Sequence, residues 1–202
     1  TEYDLANGVV DFIRAKNCGG ANLAHWAGDK VVTVIDKLPG VDVIDTHIYG
    51  GGQINGKYVR LMFDTGAPTT VLTRAAAERI GIDLSAPGVI ASANIGGIGS
   101  KSRQSWIVKL ASFEIGGEAI RNTPIRVIDE SNKRLNADVI LGADFFLAHH
   151  ILVAGSQRRI YLTYNGGPVF SLSTDGETGK TVTRAENAGG ADAAAAPAEA
   201  DE

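Results

Sequence analysis

Asp64 is the residue of this chain best placed to do chemistry. It follows the apolar run Leu61-Met62-Phe63 directly and opens the turn Asp64-Thr65-Gly66-Ala67-Pro68, after which a second apolar run begins at Val71. A carboxylate at the end of an apolar strand is costly unless backbone N–H groups or a partner receive it. Thr65 and Gly66 suit that need, because a small residue and then a glycine let the chain fold tightly around the carboxylate and point N–H groups at it. A carboxylate held this way can serve as a general acid or base. Taken alone, Asp-Thr-Gly reads more readily as a solvent-facing Asx turn, so its neighbours must decide.

Two other segments bear on that decision. Ile95-Gly96-Gly97-Ile98-Gly99 is a glycine-rich stretch between candidate strands, and Val139-Ile140-Leu141-Gly142 is an apolar stretch that ends in glycine before a short helical pattern at 143–149. Together with the Asp64 turn, these motifs resemble the retropepsin-like aspartic proteases, the family that includes the retroviral proteases. They occur in the family order across 46–164. The resemblance implies that Asp64, Thr65 and Gly66 form the catalytic loop. It also implies that Ala67 and the tip of a flap hairpin, Ile95, Gly96, Gly97, Ile98 and Gly99, contact a peptide or protein substrate, and that Ile140, Leu141 and Gly142 pack behind the loop.

Peptide hydrolysis by two carboxylates needs one ionised group to activate water and one protonated group to donate to the carbonyl oxygen. Two acids in contact cannot both ionise cheaply, so they share a proton and titrate as a unit. This chain holds a single Asp-Thr-Gly, so the second carboxylate must come from another copy of the domain. Two sources are available: a homodimer, which the resemblance favours, or an upstream copy within a longer polypeptide. In either case the resemblance implies that Thr65 hydrogen-bonds across the interface and that Gly66 allows close backbone approach. Two departures from the family stand out. Pro68 offers no N–H to a substrate, and Gly142 is followed by Ala143 and Asp144 without the arginine that supports the viral loop.

The elements that must position these residues are read from short alternating apolar runs at 46–49, 58–63, 107–115, 120–128 and 160–164. Their spacing indicates hairpins, with Asn55-Gly56 and Gly116-Gly117 as turn dipeptides. Two short helices are expected, one at 73–80 opened by a Thr73 cap and followed by Gly81, the other at 143–149. The expected fold is all-β, a retropepsin-like closed barrel of hairpins with one or two short helices. A strand–turn–strand layout at 3–13 recurs at 150–162, so residues 1–17 read as the terminal hairpin of a preceding copy. Residues 18–45 then read as a connector, 46–172 as the protease-like domain and 173–202 as a low-complexity acidic tail or linker.

Composition narrows the remaining classes. The chain has 202 residues, 44% hydrophobic and 21% charged, which excludes collagen and disorder throughout. No apolar run approaches the ~18 residues of a membrane span. The formal charge of −4 is uneven: 186–202 holds Glu186, Asp192, Glu199, Asp201 and Glu202 with no Lys or Arg, and 1–185 carries +1. The rest is nearly neutral, with no basic stripe for nucleic acid. Cys18 is the only cysteine, which leaves no intrachain disulfide and too few soft ligands for structural zinc. No cofactor or metal is expected. Gly99 and Lys101 are not contiguous, which argues against a phosphate-binding loop, and no Gly-x-Ser-x-Gly elbow occurs. His149 and His150 read as solvated helix-end residues, and Trp26 and Trp106 as core or interface anchors. Thr1 reads as a processed or cut end, and the bacterial members of the family favour the envelope or periplasm over the cytoplasm.

Overall fold

A computed structural model describes residues 1–14, 16–42, 44–95, 103–129, 136–170, 172 and 185–187. The strands are β1 (Glu2–Asp4), β2 (Val9–Asp11), β3 (Thr33–Asp36), β4 (Ile48–Ile54), β5 (Lys57–Phe63), β6 (Val71–Thr73), β7 (Ile90–Ile95), β8 (Arg103–Ile115), β9 (Glu118–Ile128), β10 (Val139–Leu141), β11 (His149–Ala154), β12 (Arg159–Tyr164) and β13 (Ala185–Asn187). The helices are α1 (Arg74–Arg79) and α2 (Ala143–Ala148). The fold is therefore all-β with two short helices, as the alternating runs indicate.

Six strands close a barrel in the order β9-β6-β10-β5-β4-β8, with β8 pairing back onto β9. Closure removes the exposed edges that an open sheet of this size would present. Turn chemistry drives the local steps. Asn55 (φ 50°) and Gly56 (φ 74°) join β4 to β5, the two positive φ values that a two-residue hairpin turn with strand-matched twist requires. Asn55 Oδ1 also accepts the Ala111 and Ser112 N–H groups at 2.9 and 3.0 Å, pinning that turn to β8. At α1 the Thr73 hydroxyl accepts from the Ala76 N–H at 3.2 Å, the N-cap expected from the sequence.

The period of two along the strands sorts side chains onto two faces. Leu61 and Phe63 of β5 and Val139 and Leu141 of β10 point into the main core with Leu72, Phe113, Ile120, Val127 and Phe145. Met62 and Ile140 point the other way, into a smaller cluster with Tyr49, Val71 and Ile128, against which Ala67 packs. The short strands before and behind the Asp64 turn are thus covered on both faces, which explains their unbroken apolar sequence.

A second sheet runs β2-β1-β11-β12-β3. Residues 33–36, inside the stretch read as a connector, supply β3, antiparallel to β12. Within 173–202 the described residues 185–187 form β13, antiparallel to Glu118–Ile120 of β9.

The histidines correct the sequence reading of solvated helix ends. His149 is fully buried; its Nδ1 lies 2.8 Å from the Phe145 carbonyl and its Nε2 2.8 Å from Glu118 Oε1, also buried. A charged or polar pair this deep persists only because both ring nitrogens have partners. His150 Nε2 lies 2.7 Å from Glu2 Oε1, and its ring stacks at 4.3 Å on Trp26. The Trp26 indole N–H donates to Thr163 Oγ1 at 2.9 Å, so Trp26 anchors residues 18–45 to β11 and β12.

Candidate active site

The Asp64 turn is braced from beneath by β10, which threads between the strand that enters it and the strand that leaves it. β10 pairs parallel with β5 (Leu61 with Val139, Phe63 with Leu141) and antiparallel with β6 (Leu72 with Val139, Val71 with Ile140). Two backbone bonds then lock the two turns together, and a third closes the Asp64 turn on itself. The Asp64 N–H donates to the Leu141 carbonyl at 2.9 Å, the Ala67 N–H to the Asp64 carbonyl at 3.2 Å, and the Ala143 N–H to the Ala67 carbonyl at 2.7 Å. Satisfying these groups internally leaves the Asp64 side chain to point where the backbone aims it.

That side chain is half-buried, with Thr65, Gly66 and Pro68 exposed around it. Its Oδ1 accepts the Gly66 N–H at 2.9 Å, the only hydrogen bond to this carboxylate among the described residues. Gly66 is small for a reason: an added Cβ would lie 3.1 Å from Asp64 Oδ1. The result is a positioned carboxylate with open lone pairs at the surface, the state in which it can receive a water, a substrate or a second acid.

Asp144 has the opposite environment. It is buried, and it accepts from the Thr70 N–H at 2.9 and 3.0 Å, from the Thr70 hydroxyl at 2.8 Å and from the Phe145 N–H at 2.9 Å. Thr70 Oγ1 in turn accepts the Gly142 N–H at 3.0 Å. This clamp ties the end of the Asp64 loop to the β10–α2 turn. It occupies the place where the resemblance implied missing arginine support, and it uses a buried carboxylate and a threonine instead. Gly142 completes the fit: a Cβ there would lie 2.5 Å from the Thr69 carbonyl carbon and 2.8 Å from the Ala67 oxygen, so only glycine lets the two turns pack.

Asp138, the other acid near the site, is committed as well. It accepts the Arg60 N–H at 2.8 Å and pairs with Arg79 at 2.7 Å. Neither Asp138 nor Asp144 is a candidate for the second catalytic carboxylate.

The structure thus brings together Asp64, Thr65, Gly66 and Ala67 with Ile140, Leu141 and Gly142. Ile95 ends β7, which runs antiparallel to β8 with Ile90 opposite Ile107 and Ile95 opposite Arg103. Gly96, Gly97, Ile98 and Gly99 lie outside the described residues. Sequence reasoning missed Thr70 and Asp144 as supports. The signal was present: an acid inside Ala-Asp-Phe-Phe-Leu-Ala must either face solvent or find donors, and this apolar hexapeptide buries it.

Comparison with known proteins matches the same stretch. A family model described as aspartyl protease matches residues 51–145. No curated protein matches the chain. Among solved structures, a retropepsin-like aspartic protease from Rickettsia conorii overlays with a TM-score of 0.48 at 20% identity, covering 66% of this chain and 91% of its own. The EIAV protease complexed with the inhibitor HBY-793 gives 0.40 at 24%, covering 52% and 88%. The retroviral protease-like domain of Ddi1 from Leishmania major gives 0.41 at 20%, covering 60% and 90%. The matched stretch runs from the middle of β4 to the start of α2 and holds both turns of the site.

Proposed function

We propose that this chain is a catalytic lobe of an aspartic endopeptidase, with Asp64 as one of two carboxylates that hydrolyse a peptide bond. The observation that carries the reading is the Asp64 turn itself: a half-buried carboxylate oriented by the Gly66 N–H at 2.9 Å within the segment that matches the aspartyl proteases. A second copy of the domain supplies the other carboxylate. The pair shares one proton; its ionised member takes a proton from water as that water attacks the scissile carbonyl carbon, and its protonated member donates to the carbonyl oxygen. Proton return through the same pair then releases the amine. Thr65, exposed beside Asp64, faces the partner lobe. The apolar surface of Ala67 over the Tyr49, Met62, Val71 and Ile140 cluster suits the side chains of an extended peptide. By the family resemblance, Ile95 and Gly96, Gly97, Ile98 and Gly99, the last four outside the described residues, contact that peptide.

The test is cleavage of a peptide library between pH ~4 and 7, where a proton-sharing pair of carboxylates works, by the protein assembled with its second copy of the domain and by the same assembly carrying Asp64→Asn. Cleavage lost in the variant supports the reading. Equal cleavage by both overturns it, and peptide binding without turnover by either makes the domain a binding module.

A further inference from the structure

The five-stranded sheet is built on an internal repeat. Hairpin β1–β2 pairs Asp4 with Val9, Tyr3 with Val10 and Glu2 with Asp11; hairpin β11–β12 pairs Ala154 with Arg159, Val153 with Ile160 and Leu152 with Tyr161. Each position in the first has its counterpart 150 residues later. The corners match in detail. A single 3-10 turn, Leu5–Asn7 in one and Gly155–Gln157 in the other, is followed by one left-handed residue, Gly8 (φ 70°, ψ 27°) or Arg158 (φ 51°, ψ 43°). That residue's N–H closes the turn onto the Leu5 carbonyl at 3.1 Å or the Gly155 carbonyl at 3.2 Å. Left-handed backbone at a non-glycine such as Arg158 is uncommon, so the shared corner is a specific likeness.

The two hairpins are also placed symmetrically. β1 and β11 run antiparallel with Glu2 opposite Leu152, and these two residues are each other's counterparts. Tyr3 lies opposite Ile151, and the pair related to it, Thr1 and Val153, is joined by bonds of 2.8 and 3.2 Å. A local twofold axis therefore passes through the Glu2–Leu152 pair. It passes close behind the site: the Tyr3 ring meets Phe146 at 5.3 Å, and Phe146 meets Phe63, the residue before Asp64, at 6.2 Å.

The symmetry fails at the outer edges. β12 carries β3, and Ile160 and Leu162 are fully buried. Among the described residues β2 carries no strand beyond β1. Its Val10, the counterpart of Ile160, is 41% exposed, and Phe12, the counterpart of Leu162, is 86% exposed. Apolar side chains at positions whose counterparts enter a core mark a core that is missing on that side.

We propose that β2 is the fifth strand of a six-stranded sheet, and that the sixth is the counterpart of β3 from a second lobe of this fold, which precedes Thr1 and ends in β1–β2. A second copy of this same chain does not reproduce the position: the edge of its β3 that corresponds to the one β2 needs is already paired to its own β12, and β1 already covers the β11 edge that two identical chains would share. The sheet rests on geometry alone; that the same lobe brings the second carboxylate to Asp64 rests on the protease reading.

The test compares the 202-residue chain with a fusion in which residues 18–150 are placed ahead of Thr1, so that β1–β2 closes the added lobe. In the fusion, amide exchange over 9–12 is expected to slow by about 100-fold or more. Cleavage of the peptide library is then independent of protein concentration and is lost with Asp64→Asn in either lobe, while the 202-residue chain alone sediments as a monomer and does not cleave. Protection of 9–12 without cleavage upholds the sheet and overturns the protease reading. A folded fusion with 9–12 unprotected overturns the proposal. So does a 202-residue chain that dimerises, protects 9–12 and gains specific activity with concentration, a measurement that does not depend on whether the fusion folds.

Discussion

Asp64 and Asp144 are two acids at the ends of two turns held back to back, and they have opposite fates. Asp64 is half-buried, with one N–H on its carboxylate; Asp144 is buried, with three different donors on its own. Each follows an apolar strand, Asp64 directly and Asp144 after Gly142 and Ala143. What separates them is how fully the surrounding backbone satisfies the carboxylate. An acid whose lone pairs are all used is structural, because moving its proton or its oxygens costs the fold; one left partly open is available to react. On the proposed reading the site divides its two demands between residues, rigidity resting with Asp144 and reactivity with Asp64.

The largest expected effect breaks the pair apart by chemistry. Asp64→Asn removes a group that exchanges protons with the reacting atoms, so the cleavage rate falls by about 10³-fold or more, while the melting temperature stays within ~2 °C, because the exposed turn keeps its backbone bonds. A variant that loses stability and keeps activity would reverse the roles assigned here.

Asp144→Ala is the converse experiment. It strands the Thr70 N–H and the Thr70 hydroxyl in the interior, while the Phe145 N–H keeps the Gly142 carbonyl; the loss costs about 3 kcal/mol and lowers the melting temperature by roughly 6–12 °C. Gly142→Ala attacks the same junction by volume, since its Cβ overlaps the Thr69 backbone. We expect about 1–3 kcal/mol from overpacking, measured by urea denaturation, and a loss of activity as the Asp64 turn shifts. An unchanged denaturation midpoint would show that the two turns are not mutually dependent.

Asp138→Asn sharpens the comparison with a third acid. Its ion pair with Arg79 is partly exposed and is worth at most about 1 kcal/mol, and Asn keeps an oxygen for the Arg60 N–H. Thermal melting should fall by no more than ~3 °C, with cleavage unaltered.

The smallest effect concerns Asp45, remote from chemistry. Its carboxylate accepts the Val41 N–H at 2.8 Å and lies 2.6 Å from the His47 ring. The Val41 bond first and then the His47 contact hold its carboxyl well below the usual carboxylate range. A depressed value contributes stability above the ordinary carboxylate pKa, and that contribution is lost only as the pH falls through the lower folded value. The 41–47 loop should therefore keep the same Val41 amide protection at pH 4 as at pH 7, after correction for intrinsic exchange. Asp45→Asn should lose protection equally at both; a native loop that loosens by pH 4 would contradict the assignment.

Strands β5, β8 and β9 and both helices were legible because each is a local matter, whereas the run expected at 46–49 becomes β4 at Ile48–Ile54 and the apolar segment 139–141 becomes a strand only between β5 and β6. Alternating apolar residues, Asn55-Gly56 and the Thr73 cap act over a few residues and need no distant partner. β3 was not legible, since Val31-Val32-Thr33-Val34 lies in a stretch without clear turn signals and becomes a strand through pairing with β12. His149 was misread because adjacent histidines at a helix end look solvated, whereas Glu118, 31 residues away, makes burial possible.

By itself the sequence determined which carboxylate stands in a strand–turn–strand setting, that a glycine follows both apolar runs of the site, and that Asp-Thr-Gly occurs once. Tertiary structure decided which acid is used up and which is left open, because hydrogen-bond satisfaction depends on donors brought in from elsewhere in the chain. It also set the N-terminal hairpin beside its counterpart about a twofold axis. That relation requires two segments 150 residues apart to meet in register, and no local pattern specifies such a meeting.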